Sequence, residues 1–323
     1  MTHYYAFNGD ADGLCALQQL RLADLSGAAL VTLVTGVKRD IQLLQRISAV
    51  AGDRVTVLDV SLDQNRSDLM RLLETGASVR YFDHHHVGEL PRHPRFAPYI
   101  DEAADVCTSI MVDRHLAGQH QGWAIVAAFG DNLKQVAGKM AQAAGVDAQA
   151  MAIFEKLGVY LNYNAYGETV ADLHIDPVDL AARMLPFTDP LEFVRDSPTF
   201  AQLAAGYEDD MGKARRLAPI RQVPGATLML LPDAPWARRA IGVFANELMH
   251  AHPDSALGIL SPKMHGGFTV SVRVPAHSPT GAADFCRRFE TGGGRKLAGG
   301  INHLPELAVD QFACSFEACF GAR

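Results

Sequence analysis

The sequence predicts an α/β fold with two domains: an N-terminal domain with a parallel sheet and a smaller C-terminal α/β domain. The chain has 323 residues, more than one ordinary hydrophobic core supports. Early in the chain, apolar strand candidates alternate with helical patterns, which is typical of right-handed βαβ units. The strand candidates lie near residues 4–8, 29–35, 55–59 and 78–82, and the helical patterns near 13–24, 39–49 and 65–74.

The middle of the chain is predicted to be helical, with patterns near 107–117 and 121–143. Three pairs then place a capping oxygen before a proline, which marks a helix start: Asp176-Pro177, Asp189-Pro190 and Ser197-Pro198. A second α/β unit follows, with strands near 226–231, 255–260 and 267–274 and helices near 237–250, 281–290 and 309–320. We therefore expect a first domain over 1–190, a helical connector over 191–224 and a second domain over 225–323.

Composition indicates a soluble globular protein, with 48% hydrophobic and 20% charged residues. The longest nearly apolar stretch, residues 28–37, is too short to span a bilayer, and no segment resembles a signal peptide. The five cysteines form no CxxC pair, which favours reduced side chains. We expect a cytoplasmic protein that does not bind membranes.

Charge is distributed unevenly, with a balance of −8 over residues 1–225 and +1 over residues 226–323. An acidic first part suits a cation site. The chain lacks the strongly basic balance of proteins that bind long nucleic acids through many phosphates. This argues for a small or short anionic substrate.

The most informative segment begins at the end of the fourth strand candidate, where Asp83 is followed by His84, His85 and His86. Carboxylate and imidazole ligands together suit Mn²⁺, Zn²⁺ or Fe²⁺. A run of histidines can also be a solvated turn, so the metal interpretation depends on other ligands.

Further oxygen ligands follow other apolar segments of the first domain. The first strand candidate leads into a tight turn and a helix start, and the third ends in an acid. Ligands gather beyond the carboxyl ends of the strands in open parallel sheets, so these acids are expected to converge. Such convergence is costly through repulsion unless a cation neutralises it. The residues concerned are Asn8, Asp10, Asp12, Asp59 and Asp131.

The second domain contains a run of three glycines, Gly292, Gly293 and Gly294, followed by Arg295 and Lys296. Consecutive glycines leave backbone N–H groups accessible and can form an anion-binding nest. Period-2 counting places Arg273, in the strand near 267–274, on a polar face with Ser271 and Thr269. The pattern favours phosphate or nucleotide binding; a flexible turn beside an exposed arginine is the alternative.

Taken in order, these motifs resemble the DHH phosphoesterase superfamily, and the late Gly-Gly-Gly-Arg-Lys-Leu-Ala-Gly-Gly resembles its C-terminal DHHA1 domain. The resemblance covers nearly the whole chain. Size and layout are similar to those of the oligoribonuclease and pAp phosphatase (nano-RNase) branch. The resemblance implies a hydrolase that cleaves short oligonucleotides or nucleotide phosphates with two divalent cations, Mn²⁺ above all, with Mg²⁺ and Co²⁺ as alternatives.

The resemblance also implies roles for individual residues. Asp10, beside Asn8, would belong to the first metal, and Asp12 to the second. Asp59 would bridge the two metals, and Asp83 would lie in or beside the first site. His84 and Asp131 would complete the second site, while His85 would face the phosphate. The catalytic set is then His85, Asp83 and Asp59, and the substrate would be bound by Arg273, Gly292, Gly293, Gly294, Arg295 and Lys296.

Two positions depart from the family pattern. Asn8 replaces a histidine or aspartate, which predicts a weaker first metal site. Arg295 replaces the histidine of Gly-Gly-Gly-His, which keeps a phosphate-binding cation and changes the expected nucleotide preference.

Three alternative functions stay open: a RecJ-like 5′–3′ exonuclease on single-stranded nucleic acid, a pyrophosphatase or exopolyphosphatase, and a catalytically weak nucleotide-binding protein. The expected partner is a short oligonucleotide or a nucleotide, with single-stranded nucleic acid as the alternative. A homodimer is compatible with this layout.

Overall fold

The computed structural model describes residues 1–24 and 30–321. It divides into two units, Met1–Ala205 and Gly206–Arg323, which we call unit 1 and unit 2. Residue 29, the first of a predicted strand, lies outside the described residues. No helix among the described residues is long and apolar enough to cross a membrane.

Unit 1 contains a five-stranded sheet in the order β2-β1-β3-β4-β5, in which every neighbouring pair is parallel. This confirms the parallel sheet predicted from the alternation of strands and helices. Strand β5 was not predicted, because Pro98 lies inside it; proline is tolerated there since β5 is an edge strand. The strands are β1 (Thr2–Phe7), β2 (Leu30–Val34), β3 (Arg54–Leu58), β4 (Ser78–Asp83) and β5 (Phe96–Ile100).

Helices cover both faces of this sheet and form the rest of unit 1. One sheet face carries Val55, Val57, Val79 and Tyr81, which pack in a buried core with α2 residues such as Leu69. Helices α1 and α3 contact the other face. The helices that begin in unit 1 are α1 (Ala11–Ala23), α2 (Arg66–Glu74), α3 (Thr108–His115), α4 (Gln121–Gly130), α5 (Lys134–Ala143), α6 (Ala148–Asn164), α7 (Pro177–Met184), α8 (Pro190–Asp196) and α9 (Pro198–Ala214).

The helix predicted over 39–49 is wrong, since only a short 3₁₀ turn, Leu44–Arg46, forms there. Asn65 is fully buried and binds the segment through both atoms of its amide: it donates to the Ile41 carbonyl and accepts from the Leu44 N–H. Arg71 donates to the carbonyls of Leu44 and Ile47. These side-chain partners replace the i→i−4 bonds of a helix, so tertiary contacts override the apolar pattern.

The single helix predicted over 121–143 is two helices, α4 and α5. The chain leaves α4 at Asp131, and Asn132 adopts a left-handed conformation with φ 62°. Asparagine tolerates this conformation better than most residues, and the left-handed turn ends the helix. The interruption places Asp131 at the C-terminal end of α4.

The three capping pairs are confirmed as starts of α7, α8 and α9. The carboxylates of Asp176 and Asp189 accept hydrogen bonds from backbone N–H groups of their helices, at 2.7 and 2.8 Å. Ser197 accepts from the Thr199 N–H at 3.3 Å. Each proline occupies the first helical position, where its missing N–H has no partner to lose.

Unit 2 contains a six-stranded mixed sheet in the order β10-β11-β9-β8-β7-β6, with β7 and β8 parallel and the other neighbours antiparallel. Its core includes Val270 and Val272 from the sheet and Phe285, Phe312 and Phe316 from the helices. The elements are β6 (Arg221–Val223), β7 (Ala226–Leu230), α10 (Pro235–Ala251), β8 (Ala256–Pro262), β9 (Phe268–Arg273), α11 (Ala282–Cys286), β10 (Gly292–Gly294), β11 (Ala298–Leu304) and α12 (Val309–Phe320). The predicted α/β character of unit 2 is confirmed, although β6, β10 and β11 were not predicted.

Candidate metal centre

The turn between β1 and α1 brings two carboxylates into the interior of unit 1. Asp10 caps α1, and its Oδ1 accepts hydrogen bonds from the N–H groups of Asp12 and Gly13, both at 3.1 Å. A side chain at Gly13 would collide with the Asn8 carbonyl, since its Cβ would lie 2.1 Å from that oxygen. Glycine is therefore required for the turn to fold back on the helix start. Asp10 and Asp12 are almost completely buried.

The carboxylate of Asp12 binds the first turn of α3. Its two oxygens accept from the N–H groups of Thr108, at 2.8 Å, and Ser109, at 2.6 Å. These bonds use the partial positive charge of a helix N-terminus. Burial nevertheless raises the pKa of Asp12 to about 6, against the opposing effect of His84 and with the repulsion of Asp131. The carboxylate is thus held in an environment that disfavours its charge.

Asp59 lies directly after β3 in a left-handed conformation, with φ 56°. Aspartate adopts this conformation more readily than most residues, and such backbone positions are common at functional sites. Its N–H donates to the Phe82 carbonyl at 3.1 Å, and the side chain is buried. Burial, then the nearby charges of Asp10 and Asp12, raise the pKa of Asp59 well above its usual range.

Asp83 ends β4 and orients the imidazole of His85. Its Oδ1 accepts from the backbone N–H of His85 at 3.1 Å and lies 2.6 Å from His85 Nδ1, while Oδ2 accepts from the Leu62 N–H at 3.0 Å. Although burial acts against it, the hydrogen bond with Asp83 raises the pKa of His85. The His85 side chain is 40% exposed, so its ring remains accessible. One ligand atom each of Asp59, His84 and His85 lies within 4.8 Å of the others.

The ring of His84 is fixed at one nitrogen and directed at carboxylates with the other. Nδ1 lies 3.0 Å from the Val106 carbonyl, which can only accept, so Nδ1 carries the proton in the neutral ring. Nε2 lies 3.3 Å from Asp59 and 4.0 Å from Asp12. Although burial opposes the charged form, the hydrogen bond and charge of Asp59, with the charges of Asp12 and Asp131, raise the pKa of His84 to about 10.

Two oxygens of the predicted ligands are buried without a hydrogen-bond partner in the described part of the chain. They are Asn8 Oδ1 and Asp131 Oδ2. An unpartnered buried oxygen is costly and is normally satisfied by a donor, a water or a cation. His86, by contrast, is 84% exposed and binds Glu102, so it lies on the surface.

Sequence reasoning missed Lys38. Its ammonium group binds the Asp10 carboxylate and lies 3.0 Å from Asn162 Oδ1. Against the effect of burial, Lys38 lowers the pKa of Asp10. A single lysine in a loop carries no motif, and only the fold brings it to the cluster.

These residues fit divalent cations. The site combines buried carboxylates, an imidazole whose Nε2 is free of hydrogen in the neutral ring, and two unpartnered oxygens. Hard and borderline cations take these ligand types. Both oxygens of Asp83 already accept hydrogen bonds from the chain, as both oxygens of Asp12 do, and Asp83 also contacts Nδ1 of His85. Its role as an orienting group for His85 is the one its contacts describe.

The predicted substrate residues lie in unit 2. The three glycines form edge strand β10, paired with β11, instead of an open loop or flexible turn. Gly292 is required by close packing, because a Cβ there would lie 1.8 Å from the Cys286 carbonyl. Arg295 and Lys296 are exposed and follow β10 in the hairpin. Arg273 Nη1 donates to Ser271 Oγ at 3.0 Å, so the two side chains share a face of β9.

No protein-family model matches the sequence, and no curated protein sequence matches it either. Solved structures do match. Exonuclease RecJ bound to manganese is similar with a TM-score of 0.64 and 17% identity, over 98% of this chain and 89% of that chain. RecJ of Thermus thermophilus in complex with Mn²⁺ matches with a TM-score of 0.66 and 19% identity, over 98% of this chain and 51% of that chain.

A third structure is the DHH domain of a protein described as a member of a family of ribosomal proteins. Its TM-score is 0.69 at 12% identity, over 99% of this chain and 87% of that chain. Similarity at these identities establishes the fold. The predicted two-domain α/β architecture is confirmed, and the chain shares its fold with RecJ and with this DHH domain.

Proposed function

We propose that this protein is a divalent-metal-dependent phosphoesterase that hydrolyses phosphodiester or phosphomonoester bonds of short oligonucleotides or nucleotides. One observation carries this proposal: the buried carboxylates of Asp10, Asp12 and Asp59 share a site with the imidazoles of His84 and His85. Mutual repulsion disfavours such a cluster unless cations compensate its charge.

We assign two cations to the cluster, with Mn²⁺ preferred over Mg²⁺ and Co²⁺. Solved RecJ structures described as complexes with Mn²⁺ and Mg²⁺ support divalent cations. Cations bound there would polarise phosphoryl oxygens and lower the pKa of a bound water. In this proposal the first site is formed by Asn8 and Asp10, with Asp83 at its edge. The second site is formed by Asp12, His84 and Asp131. Asp59 is a ligand of both sites.

The chain's own groups prepare the site for a phosphate ester. Val106 holds the proton of His84 on Nδ1, which leaves Nε2 as the nitrogen available to a cation. Asp83 binds Nδ1 of His85, so Nε2 of this half-exposed ring is the atom that can meet a phosphoryl oxygen. A hydrogen-bond donor at that point stabilises the charge of an in-line transition state.

The test is a parallel assay of the purified full chain with Mn²⁺ on 3′,5′-adenosine bisphosphate (pAp), a dinucleotide, long single-stranded DNA and pyrophosphate. We expect the highest kcat/KM on the dinucleotide or pAp. Pyrophosphate as the best substrate would contradict the proposal, and the absence of turnover on all four would favour a nucleotide-binding protein without catalysis.

A RecJ-like exonuclease is the second candidate, because two RecJ structures match nearly all of this chain. The net charge of −7 argues against tight binding of long nucleic acid. The chain also spans only 51% of Thermus RecJ. A clear preference for long single-stranded DNA in the parallel assay would establish this candidate instead.

We assign nucleotide binding in unit 2 to Arg273, the glycines of β10, Arg295 and Lys296. Arg295→Ala is expected to raise KM for a dinucleotide about tenfold, because loss of a charge-assisted contact to phosphate weakens binding by this order. Metal content should stay unchanged, since Arg295 is not among the proposed metal ligands. Arg295→Lys should restore affinity in part, because an ammonium lacks the planar bidentate geometry of guanidinium.

Two controls make the Arg295 test specific. Bis(p-nitrophenyl) phosphate needs only the metal centre, so its turnover should change less than that of the dinucleotide. Arg287→Ala removes another exposed arginine of unit 2 and should leave both activities intact. Equal losses on the dinucleotide and the small ester would show that Arg295 does not bind the substrate's nucleotide part.

A further inference from the structure

Unit 1 contains a polar cavity at the end of the sheet where strands β1, β3 and β4 begin. Its volume is about 570 Å³. Apolar side chains from α1 and from the end of α3 form part of its wall, such as Leu20 and the C-cap residue Leu116. The polar residues that line it are His3, Asp24, Arg54, Thr56, Ser78, Arg80 and Arg95. We call this space the arginine cavity.

Strand register places four of these polar residues on one face of the sheet. His3 is paired with Arg54, and Thr56 is paired with Arg80. Thr56 Oγ1 lies 2.9 Å from His3 Nε2 and accepts from Arg80 Nη2 at 3.3 Å. A parallel sheet covered by helices on both faces is normally apolar on both. Imidazole, hydroxyl and guanidinium groups on a covered face are therefore unusual, and they suit a polar ligand in the cavity.

The arginine cavity has an excess of positive charge and unused hydrogen-bonding groups. Three arginines line it against one carboxylate, Asp24. His3 is 3% exposed, and its Nδ1 has no hydrogen-bond partner in the described part of the chain. Arg54 Nε is likewise buried and unpartnered there. The unbalanced positive charge of the three arginines is what an anionic ligand would compensate.

We propose that the arginine cavity is a binding site for a phosphate-bearing small molecule of about mononucleotide size. Planar guanidinium groups bind phosphate in bidentate geometry. The volume lies within the range of small-molecule sites, roughly 300–1,000 Å³, and exceeds what one phosphate fills. Apolar walls from Leu20, Phe96 and Leu116 suit the uncharged part of such a molecule.

This site is separate from the candidate metal centre. Arg54 begins β3 and Asp59 follows its end, and five residues of strand span roughly 16 Å. A ligand in the arginine cavity therefore binds without contacting the acid cluster. The inference stands independently of the proposed phosphoesterase activity.

The experiment is isothermal titration calorimetry of the full chain carrying Arg295→Ala and stripped of divalent metal with a chelator, so that neither the candidate metal centre nor unit 2 dominates, using 5′-AMP and inorganic phosphate as probes. The double variant Arg54→Gln/Arg80→Gln should weaken binding of 5′-AMP at this site at least about tenfold, because charge-assisted contacts are lost. With Mn²⁺ restored, turnover of bis(p-nitrophenyl) phosphate and Mn²⁺ content should equal those of the chain that carries Arg295→Ala alone. Arg92→Gln, which changes an exposed arginine outside the cavity, should bind 5′-AMP normally.

Unchanged binding of 5′-AMP by the double variant would overturn the proposal. If the double variant does not fold, Arg95→Gln decides the question, since this side chain is exposed and its loss spares the strands. Weaker 5′-AMP binding by Arg95→Gln supports the site, and unchanged binding overturns it. Tighter binding of 5′-AMP than of phosphate supports a mononucleotide-sized ligand, whereas equal affinity overturns that assignment of size.

Discussion

The two ends of the unit 1 sheet carry opposite charge for opposite structural reasons. At the carboxyl ends of the strands, Asp10, Asp59 and Asp83 lie at or just beyond a strand end, where turns bring acids together. At the strand starts, Arg54 and Arg80 lie inside neighbouring strands, where Arg54 pairs with His3 and Arg80 pairs with Thr56, so register places both arginines on one face of the sheet. We call these the acid end and the arginine end. Repulsion between carboxylates at the acid end would be relieved by bound cations, and the positive charge at the arginine end would be compensated by a bound anion.

The two ends also differ in backbone conformation. Asp59 adopts a left-handed conformation directly after β3, whereas Arg54 and Arg80 have ordinary strand partners. Strain and repulsion at the acid end lower stability and are typical of functional sites. At the arginine end, no strand residue that the structure describes adopts such a left-handed conformation.

The largest expected effect is at the acid end, on replacing Asp59. Asp59→Asn removes the charge and keeps a residue that tolerates φ 56°. Mutation of a group that hydrogen-bonds to a metal ligand typically lowers metal affinity or activity by about 10–100-fold. Loss of a central carboxylate ligand should therefore lower kcat/KM by more than about 100-fold. The measurement is turnover of the dinucleotide, with bound Mn²⁺ determined by elemental analysis.

The same variant should be more resistant to heat when metal is removed with a chelator. Burial and the charges of Asp10 and Asp12 disfavour the Asp59 carboxylate in the folded protein, so a neutral amide relieves repulsion. Asp63→Asn is the matched control, because Asp63 is exposed and lies four residues later. Normal Mn²⁺ content and rate in Asp59→Asn would exclude a bridging role for this residue.

A smaller effect is expected within the acid end, where the first metal site should be weaker than the second. Asn8 is neutral, and the ammonium of Lys38 competes for the Asp10 carboxylate. Lys38→Met should therefore raise Mn²⁺ affinity at the weaker site by about tenfold, the factor that corresponds to about 1.4 kcal/mol. Asn8→Asp should act in the same direction by adding a charged ligand.

Calorimetric titration with Mn²⁺ measures both steps. Lys134→Met is the control, since Lys134 pairs with Glu155 outside the cluster and should leave both affinities unchanged. Two equally tight sites in the unmodified protein would contradict the asymmetry. A gain in affinity only for Lys38→Met would attribute the weakness to the lysine and not to Asn8.

The sequence predicted the acid end far better than the arginine end. Asp10, Asp12, Asp59, Asp83 and His84 stand in short motifs next to strand ends, where their chain positions alone imply convergence. Arg54 and Arg80 are single polar residues within strands, and one polar residue on a strand usually faces solvent. Only the pairing register and the covering helices show that they are enclosed.

The other errors of the sequence-based prediction arise from contacts between residues that are far apart in the sequence. Asn65 and Arg71 bind the backbone near Leu44 and prevent a helix there. Lys38 reaches Asp10 from a loop that carries no motif. Such contacts depend on the tertiary structure, so a local pattern contains no signal for them.

The smallest expected effect concerns His3 at the arginine end. Burial, then the charges of Arg54 and Arg80, lower the pKa of His3 to about 4, with Asp24 acting in the opposite direction. The unfolded chain, with an ordinary histidine pKa of about 6.5, binds this proton more readily than the folded protein. The contribution of His3 to the free energy of unfolding is therefore fully present above pH 6.5 and declines as pH falls toward 4.

Urea unfolding at pH 7.5 and pH 5.0 tests this with His3→Gln, which keeps a polar side chain that cannot titrate. The unmodified protein should lose more stability between the two pH values than the variant does, and the linkage relation sets the difference at up to about 2 kcal/mol. Other acid-sensitive groups act equally in both proteins and cancel in the comparison. Saturating 5′-AMP should shrink the difference, because an anion beside His3 favours its protonated form. Equal losses in the two proteins would show that His3 titrates normally and that the arginines do not act on it.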